Sequence, residues 1–339
     1  MNYIHKNENA IYYECGYSCD NAIFLKLGSE AYFLTDARYE IESKEAIKDA
    51  EVIIDSNILK RANKLLKKSH IKKISYDPKE WSCFEFESLK KGLKLNWKRR
   101  VDFSHKKRLI KTKEEIELLE RAVFLGKKGF ERAKELFLSI GVGEDEFKLN
   151  HLAKEAMSDY GKFELSFEPI VAINANASKP HSLPTDTILR YGDLLLMDAG
   201  LKYKRYCSDR TRTVRFDDEF EWEAKAKFSS KKIQKAYDTV QKAHDKAIKK
   251  ARAGMKAKEI DKIAREVIEK AGFGEFFVHS TGHGVGLDIH EMPYISPKSD
   301  TVIEDGMVFT IEPGIYVEGK FGIRIEDMVV IENGRARVL

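Results

Sequence analysis

The sequence predicts an α+β protein in two parts, a small α/β domain over residues 1–108 and a larger domain over residues 109–339. Three observations predict it. Short apolar runs alternate with helical patterns through the first hundred or so residues, the mark of an α/β unit. A basic stretch from Lys98-Arg99-Arg100 to Lys106-Lys107-Arg108 then interrupts the pattern, and a strong helix start follows it. From Asp198 onward, four carboxylates and one histidine (Asp198, Asp209, His283, Glu312 and Glu326) each sit in or beside an apolar run. At 339 residues the chain is long enough for two domains and a sizeable core.

The elements follow in order. Ala22-Ile23-Phe24-Leu25 and Ala31-Tyr32-Phe33-Leu34 flank Gly28-Ser29 at a spacing that suits a hairpin. Residues 39–50 and 57–68 read as helices, and 52–54 and 71–76 as strands. Thr112, with Glu115 three residues on, is a capping box; apolar residues at Ile116, Leu119, Val123, Leu125 and Phe130 carry the helix to about Ile140. Gly141 and Gly143 end it, and residues 145–160 read as a second helix. Strands are expected around 167–173, 193–199 and 207–216. A helical pair, 230–253 and 257–271, is punctuated by Gly254 and Gly272, and strands and Gly-rich turns return from Phe276.

Composition excludes several classes. A net charge of +5, from 60 basic and 55 acidic residues, is too small at this length to argue for a nucleic-acid partner. The lysines from Lys231 to Lys250 recur at helical spacing, as a solvated helix face would. Cys15, Cys19, Cys83 and Cys207 form no C-x-x-C pair, and reduced thiols are expected. The N-terminus has no apolar signal core, and no run approaches the ~18 apolar residues of a membrane helix. A cytoplasmic protein with no membrane partner is expected.

A carboxylate in an apolar run needs a partner, a proton or a metal. Asp198 ends Leu194-Leu195-Leu196-Met197; Glu312 lies between Phe309-Thr310-Ile311 and Ile315-Tyr316-Val317; Glu326 lies within Ile323–Val330. Asp198 and Asp209 are joined through Ala199-Gly200 and a polar turn, which can bring both acids together. Adjacent unpaired carboxylates repel, and a cation between them removes the conflict. Four carboxylates and one imidazole suit two divalent ions about 3.5–4 Å apart, and that donor set favours manganese while allowing cobalt, iron or zinc. Thr211 and Thr213 are expected to share a strand face with Asp209, and Arg324 to share one with Glu326, orienting it or meeting an anionic substrate group. Of nine histidines, His181, His279, His283 and His290 fall near these acids. His290-Glu291 begins like the zinc signature H-E-x-x-H, but residue 294 is Tyr.

The segments LLLMDAG (194–200), SDRTRTV (208–214), HSTGHGVGLDIHE (279–291), TIEPGIYV (310–317) and GIRIEDMVVI (322–331), with Pro180-His181-Ser182-Leu183-Pro184, resemble the metallopeptidase family of aminopeptidase P, prolidase, methionine aminopeptidase and creatinase. The likeness spans roughly residues 110–339. Phe33–Tyr39 and Leu109–Ile116 carry a weaker likeness to the N-terminal domain of the proline-specific branch. The resemblance implies a creatinase-like N-terminal domain and a pita-bread catalytic domain. It implies one metal ion on Asp198 and another on His283 and Glu312, with Asp209 and Glu326 bridging.

It also implies hydrolysis of an Xaa-Pro bond by a bridging hydroxide. Glu312 would move the water proton, His279 and His290 would stabilise the oxyanion or hold substrate, and His181 would line the proline side. Aminopeptidase P, acting on peptides with proline second, is the expected member, with Xaa-Pro dipeptidase as the alternative; a homodimer is the family expectation. Creatinase and a non-catalytic peptide-binding module are the rivals, and the intact ligand set counts against both. Lys179, where the family has a small or apolar residue, leaves the substrate rim open, and residues 216–230 are expected to form a long charged loop.

Overall fold

Six strands build the first of the two units into which the chain divides, Met1–Arg108 and Leu109–Leu339; the computed structural model describes residues 1–339. The strands are β1 (Tyr3–His5), β2 (Ile23–Leu27), β3 (Glu30–Thr35), β4 (Glu51–Ile54), β5 (Lys73–Tyr76) and β6 (Asn96–Arg99), in the order β4-β3-β2-β1-β5-β6. Alternation along β2 sends Ile23 and Leu25 to one face and Phe24 to the other. The first face packs on Ile58, Ala62 and Leu66 of α3 (Ile58–Lys68) and Leu89 of α4 (Cys83–Lys90). The second packs on Ile11 of α1 (Glu8–Cys15) and on Ile47. Helix α2 (Glu40–Ala46) ends earlier than its sequence pattern suggests, because Ile47 turns extended and buries its side chain. A short helix, α5 (Phe103–Lys107), closes the unit.

The second unit opens with α6 (Lys113–Leu136), whose capping box forms: Thr112 Oγ1 accepts from Glu115 N, and the Glu115 carboxylate accepts from Thr112 N at 2.8 Å. α7 (Glu146–Ser158) follows. β7 (Ile170–Ile173), β8 (Leu194–Asp198) and β11 (Thr211–Arg215) form an antiparallel sheet in the order β11-β8-β7, and the two-residue strands β9 (Lys202–Tyr203) and β10 (Tyr206–Cys207) pair between β8 and β11. β8 is buried on both faces. Leu195 and Met197 pack with Phe130, Ala133, Leu149 and Leu152 of α6 and α7. Leu194 and Leu196 pack with Ala236, Val240 and Ala243 of α8 (Lys231–Lys250) and Ile260 and Ala264 of α9 (Ala257–Lys270). Truncating one such leucine to alanine costs about 2–5 kcal/mol.

β12 (Gly282–Gly284), β13 (Glu291–Ile295), β14 (Val308–Ile311), β17 (Asp327–Glu332) and β18 (Arg335–Val338) form a second antiparallel sheet, ordered β13-β12-β14-β17-β18; β15 (Gly314–Val317) and β16 (Phe321–Arg324) make a hairpin. Thr213 Oγ1 donates to Arg324 O and accepts from Arg324 N, and Glu326 N donates to Thr211 O, which ties the sheets together.

Two sequence expectations are adjusted. Residues 167–169 lie outside β7: Pro169 has no N–H to give a ladder, and pairing starts at Ile170 opposite Asp198. The stretch 207–216 is two strands rather than one. The chain passes so close to Gly200 that a Cβ there would lie 1.9 Å from Ser208 O, and Ser208–Arg210 leave the ladder. Residues 216–230 hold no helix or strand, and Lys231, Lys232, Lys235, Lys242, Lys249 and Lys250 are exposed on α8. No helix is long and apolar enough to cross a membrane.

Candidate metal centre and active site

Asp198, Asp209, His283, Glu312 and Glu326 all line one cavity of about 420 Å³, together with His181, His279, His290 and Arg324. Each acid sits at a strand end or strand break. Asp198 is the last residue of β8, Asp209 lies two residues before β11, Glu312 falls between β14 and β15, and Glu326 between β16 and β17. His283 is the middle residue of β12. Breaks in the ladder let the chain aim a polar side chain inward while its apolar neighbours stay in the core.

Asp209 precedes the strand on which it was expected; Thr211, not Asp209, stands opposite Asp198. Thr211 Oγ1 donates to Glu326 Oε2 at 2.7 Å and accepts from Arg324 Nε at 2.9 Å. Arg324 reaches Asp198 rather than Glu326, donating to Asp198 Oδ2 at 2.6 Å. It also donates to Pro180 O and to the Tyr316 hydroxyl. One bond from Nε, two from Nη1 and one from Nη2 leave one of its five N–H groups for other use.

The electrostatics call for cations. Donor atoms of Asp209, His283 and Glu326 all lie within 4.8 Å of one another. Burial, then Glu326, Asp198 and Glu312, push the Asp209 carboxyl well above its usual range. Burial, then Glu312 and Asp198, do the same to Glu326. Burial is the main cause that raises Glu312 to about 7. Asp198 Oδ1 and Glu326 Oε1 are buried with no hydrogen-bond partner. His283 Nδ1 donates to Gly284 O at 3.2 Å, so Nε2 carries the lone pair. That nitrogen faces Asp209 Oδ2 at 3.5 Å and Glu312 Oε1 at 3.4 Å, and burial holds the ring neutral by lowering its pKa. A lone pair directed at two carboxylates is repulsive unless positive charge sits between them. The donor set therefore fits divalent cations, with four carboxylates against one neutral imidazole.

The other histidines divide. His181 and His290 are exposed, and the His290 ring packs edge-on against His283 with centroids 4.3 Å apart. His279 has both nitrogens engaged: Nδ1 donates to Ser280 O at 2.7 Å, so Nε2 accepts from the Tyr316 hydroxyl at 2.9 Å. Burial, then Arg324, bring its pKa down to about 3, and it stays neutral. Tyr316, absent from the sequence-based site, links Arg324 to His279. Its only sequence signal is its position four residues after Glu312. Phe167, Ile170, Ile289 and Tyr294 give the same cavity an apolar part of its lining. Lys179 is not part of the lining; its ammonium donates to Asn176 Oδ1. A second cavity, about 390 Å³ beside Arg212, His244 and Asp327, holds none of the candidate residues.

Two family models match the chain: metallopeptidase family M24 over residues 117–333 and the creatinase/prolidase N-terminal domain over residues 2–111. An Xaa-Pro dipeptidase of Pyrococcus furiosus is 40% identical over 232 residues, 68% of this chain; the match covers 63% of that relative, so less than two thirds of its length is spanned. Among solved structures, an Xaa-Pro dipeptidase from Bacillus anthracis superposes with a TM-score of 0.90 at 30% identity, covering 99% of this chain and 92% of the other. An X-Pro aminopeptidase from Thermotoga maritima gives 0.88 at 30% identity, covering 99% and 94%.

Proposed function

The chain belongs to metallopeptidase family M24, with a creatinase-type N-terminal domain before the pita-bread domain, and on that premise we propose that it hydrolyses the bond between an N-terminal residue and proline, Xaa-Pro dipeptides being its preferred substrates. One observation carries the reading: five metal-type donors, two with orphaned buried oxygens, converge on a single cavity that apolar side chains also line. The dipeptidase assignment takes precedence over the aminopeptidase expected from the sequence, because dipeptidases stand foremost among the similar proteins. Aminopeptidase activity on longer peptides is the second reading, favoured by the Thermotoga maritima structure.

Asp198, Asp209, His283, Glu312 and Glu326 would hold two divalent ions, manganese first among them for so oxygen-rich a set. When bound, such ions polarise the scissile carbonyl and bring the pKa of water down to about 7 in favourable sites. The side chains do the rest. Glu312 Oε1, which accepts from Thr310 Oγ1 at 3.3 Å, would take a proton from the attacking water and return it to the leaving nitrogen. Arg324 fixes Asp198 and polarises the Tyr316 hydroxyl. His279 holds that hydroxyl in orientation from its other side. His290 is the group that would stabilise the developing oxyanion, and His181 would line the proline side. Phe167, Ile170, Ile289 and Tyr294 would take up the apolar bulk of the substrate. A homodimer in the cytoplasm completes the reading.

Turnover by the manganese-loaded protein tests it. A Leu-Pro dipeptide is expected to have a higher kcat/KM than a tripeptide with proline second. The reverse order would select the aminopeptidase, and hydrolysis of neither would end the reading.

A further inference from the structure

Lys111 and Glu291, 180 positions apart in the chain, form an ion pair in the interior of the second unit. Lys111 Nζ lies 2.5 Å from Glu291 Oε1, and both side chains are only 1% exposed. Removing two charges from water costs several kcal/mol per ion, and an apolar pair of the same volume is often equally stable. Stability alone therefore does not account for the pair, and its surroundings suggest what does.

Glu291 begins β13 and directly follows His290. Its carboxylate lies against the backbone of the loop that leaves β12: a Cβ on Gly286 would stand 2.5 Å from Glu291 Oε1. In the β12–β13 ladder His283 stands opposite Tyr294 while Gly284 stands opposite Glu291, so the register breaks beside the histidine. Ladder pairing between β12 and β13 is interrupted at that break. Lys111, by contrast, is anchored by its own backbone, with N donating to Gly306 O at 2.8 Å, one residue before the N-cap of α6. The lysine thus reaches from a fixed point to a carboxylate under the loop that carries both His283 and His290.

We propose that Lys111 and Glu291 are a positioning pair: their buried ion pair sets the loop from His283 to His290, and with it the His283 nitrogen directed at the metal ligands and the His290 ring packed on His283. Neither residue lines the cavity, and both act through the histidines. This rests on the metallopeptidase reading for its catalytic consequence but not for its structural one.

The test is Lys111→Met with Glu291→Leu in the full chain, which replaces the pair by apolar groups of similar length. Thermal unfolding of the metal-free variant should stay cooperative and near the wild-type midpoint. Mn²⁺ affinity, read by calorimetry, should fall about tenfold or more, as for other losses of support around a ligand. On Leu-Pro at saturating Mn²⁺, where the His283 route through metal occupancy drops out, kcat should fall at least as far while KM changes less than about threefold, and adding His290→Ala should lower kcat no further than His290→Ala does alone, the non-additivity of groups that act as one.

Unchanged Mn²⁺ affinity and kcat in a folded variant would overturn the proposal, as would kcat losses that simply multiply. If the double variant does not unfold cooperatively, Lys111→Met and Lys111→Arg decide. The Lys111→Arg protein keeps the charge and should hold Mn²⁺ within about threefold of wild type, against about tenfold or more lost in Lys111→Met; equal behaviour of the two overturns the pair's role. If the wild-type chain hydrolyses no Xaa-Pro peptide, the functional reading fails and the calorimetry alone decides the pair.

Discussion

Thr211→Val is the most informative single substitution in the site, because it changes one hydroxyl for a methyl at constant shape. Thr211 is fully buried, donates to Glu326 Oε2 and accepts from Arg324 Nε. A hydrogen bond to a charged group contributes about 1.5–3 kcal/mol, and a buried donor left unpaired costs about 1–3 kcal/mol. Burial and the neighbouring carboxylates favour the protonated form of Glu326 when no cation is bound, and cation binding requires the ionised form. The first cost therefore falls mainly on the metal-loaded state. At 1.4 kcal/mol per factor of ten it corresponds to Mn²⁺ binding weaker by about 10- to 100-fold. The unpaired Arg324 Nε lowers the stability of loaded and metal-free protein alike, by about 1–3 kcal/mol. Calorimetric titration with Mn²⁺ and urea unfolding, run on the same preparations, separate the two effects. A folded Thr211→Val protein that binds Mn²⁺ as tightly as wild type would refute the reasoning that Thr211 supports Glu326 as a ligand.

Three further outcomes follow from the same network. Since Asp209, Glu312 and Glu326 all have raised pKa values, Mn²⁺ binding should release protons, and more of them at pH 6 than at pH 8 because Glu312 titrates at about 7; an indicator dye in weak buffer reads the release. A carboxyl whose pKa is raised on folding binds more protons folded than unfolded, so the stability of the metal-free protein should fall as pH rises from about 4.5 toward 7. Urea midpoints that climb over that interval would contradict this sign. Tyr316→Phe removes the hydroxyl that links Arg324 to His279 and should lower kcat by about tenfold or more, as for other losses of support around a site, while Mn²⁺ content stays unchanged; a variant with full kcat would remove Tyr316 from the chemistry.

The elements and residues that could be read from the sequence were those whose signal is local. Asp198 and Glu326 were visible because each is a charge inside an apolar run, and α6 because Thr112 and Glu115 cap it within four residues. β1 was not visible, since Tyr3–His5 is three residues long and exists only through pairing with β2 and β5. Asp209 was placed on a strand because nothing local shows that the approach to Gly200 breaks the ladder at Ser208. Tyr316 and Arg324 were harder for the same reason: their partners His279, Asp198 and Pro180 come from other elements, and only the folded chain brings them together. Lys111 and Glu291 are the extreme case, a contact across 180 positions.

The account depends on five side chains gathering cations in one cavity. Anomalous diffraction at the manganese edge, from crystals of the Mn²⁺-loaded protein, tests this most directly. Two peaks about 3.5–4 Å apart, enclosed by Asp198, Asp209, His283, Glu312 and Glu326, are the expected result. Peaks elsewhere in the protein, or none at these side chains, would contradict it.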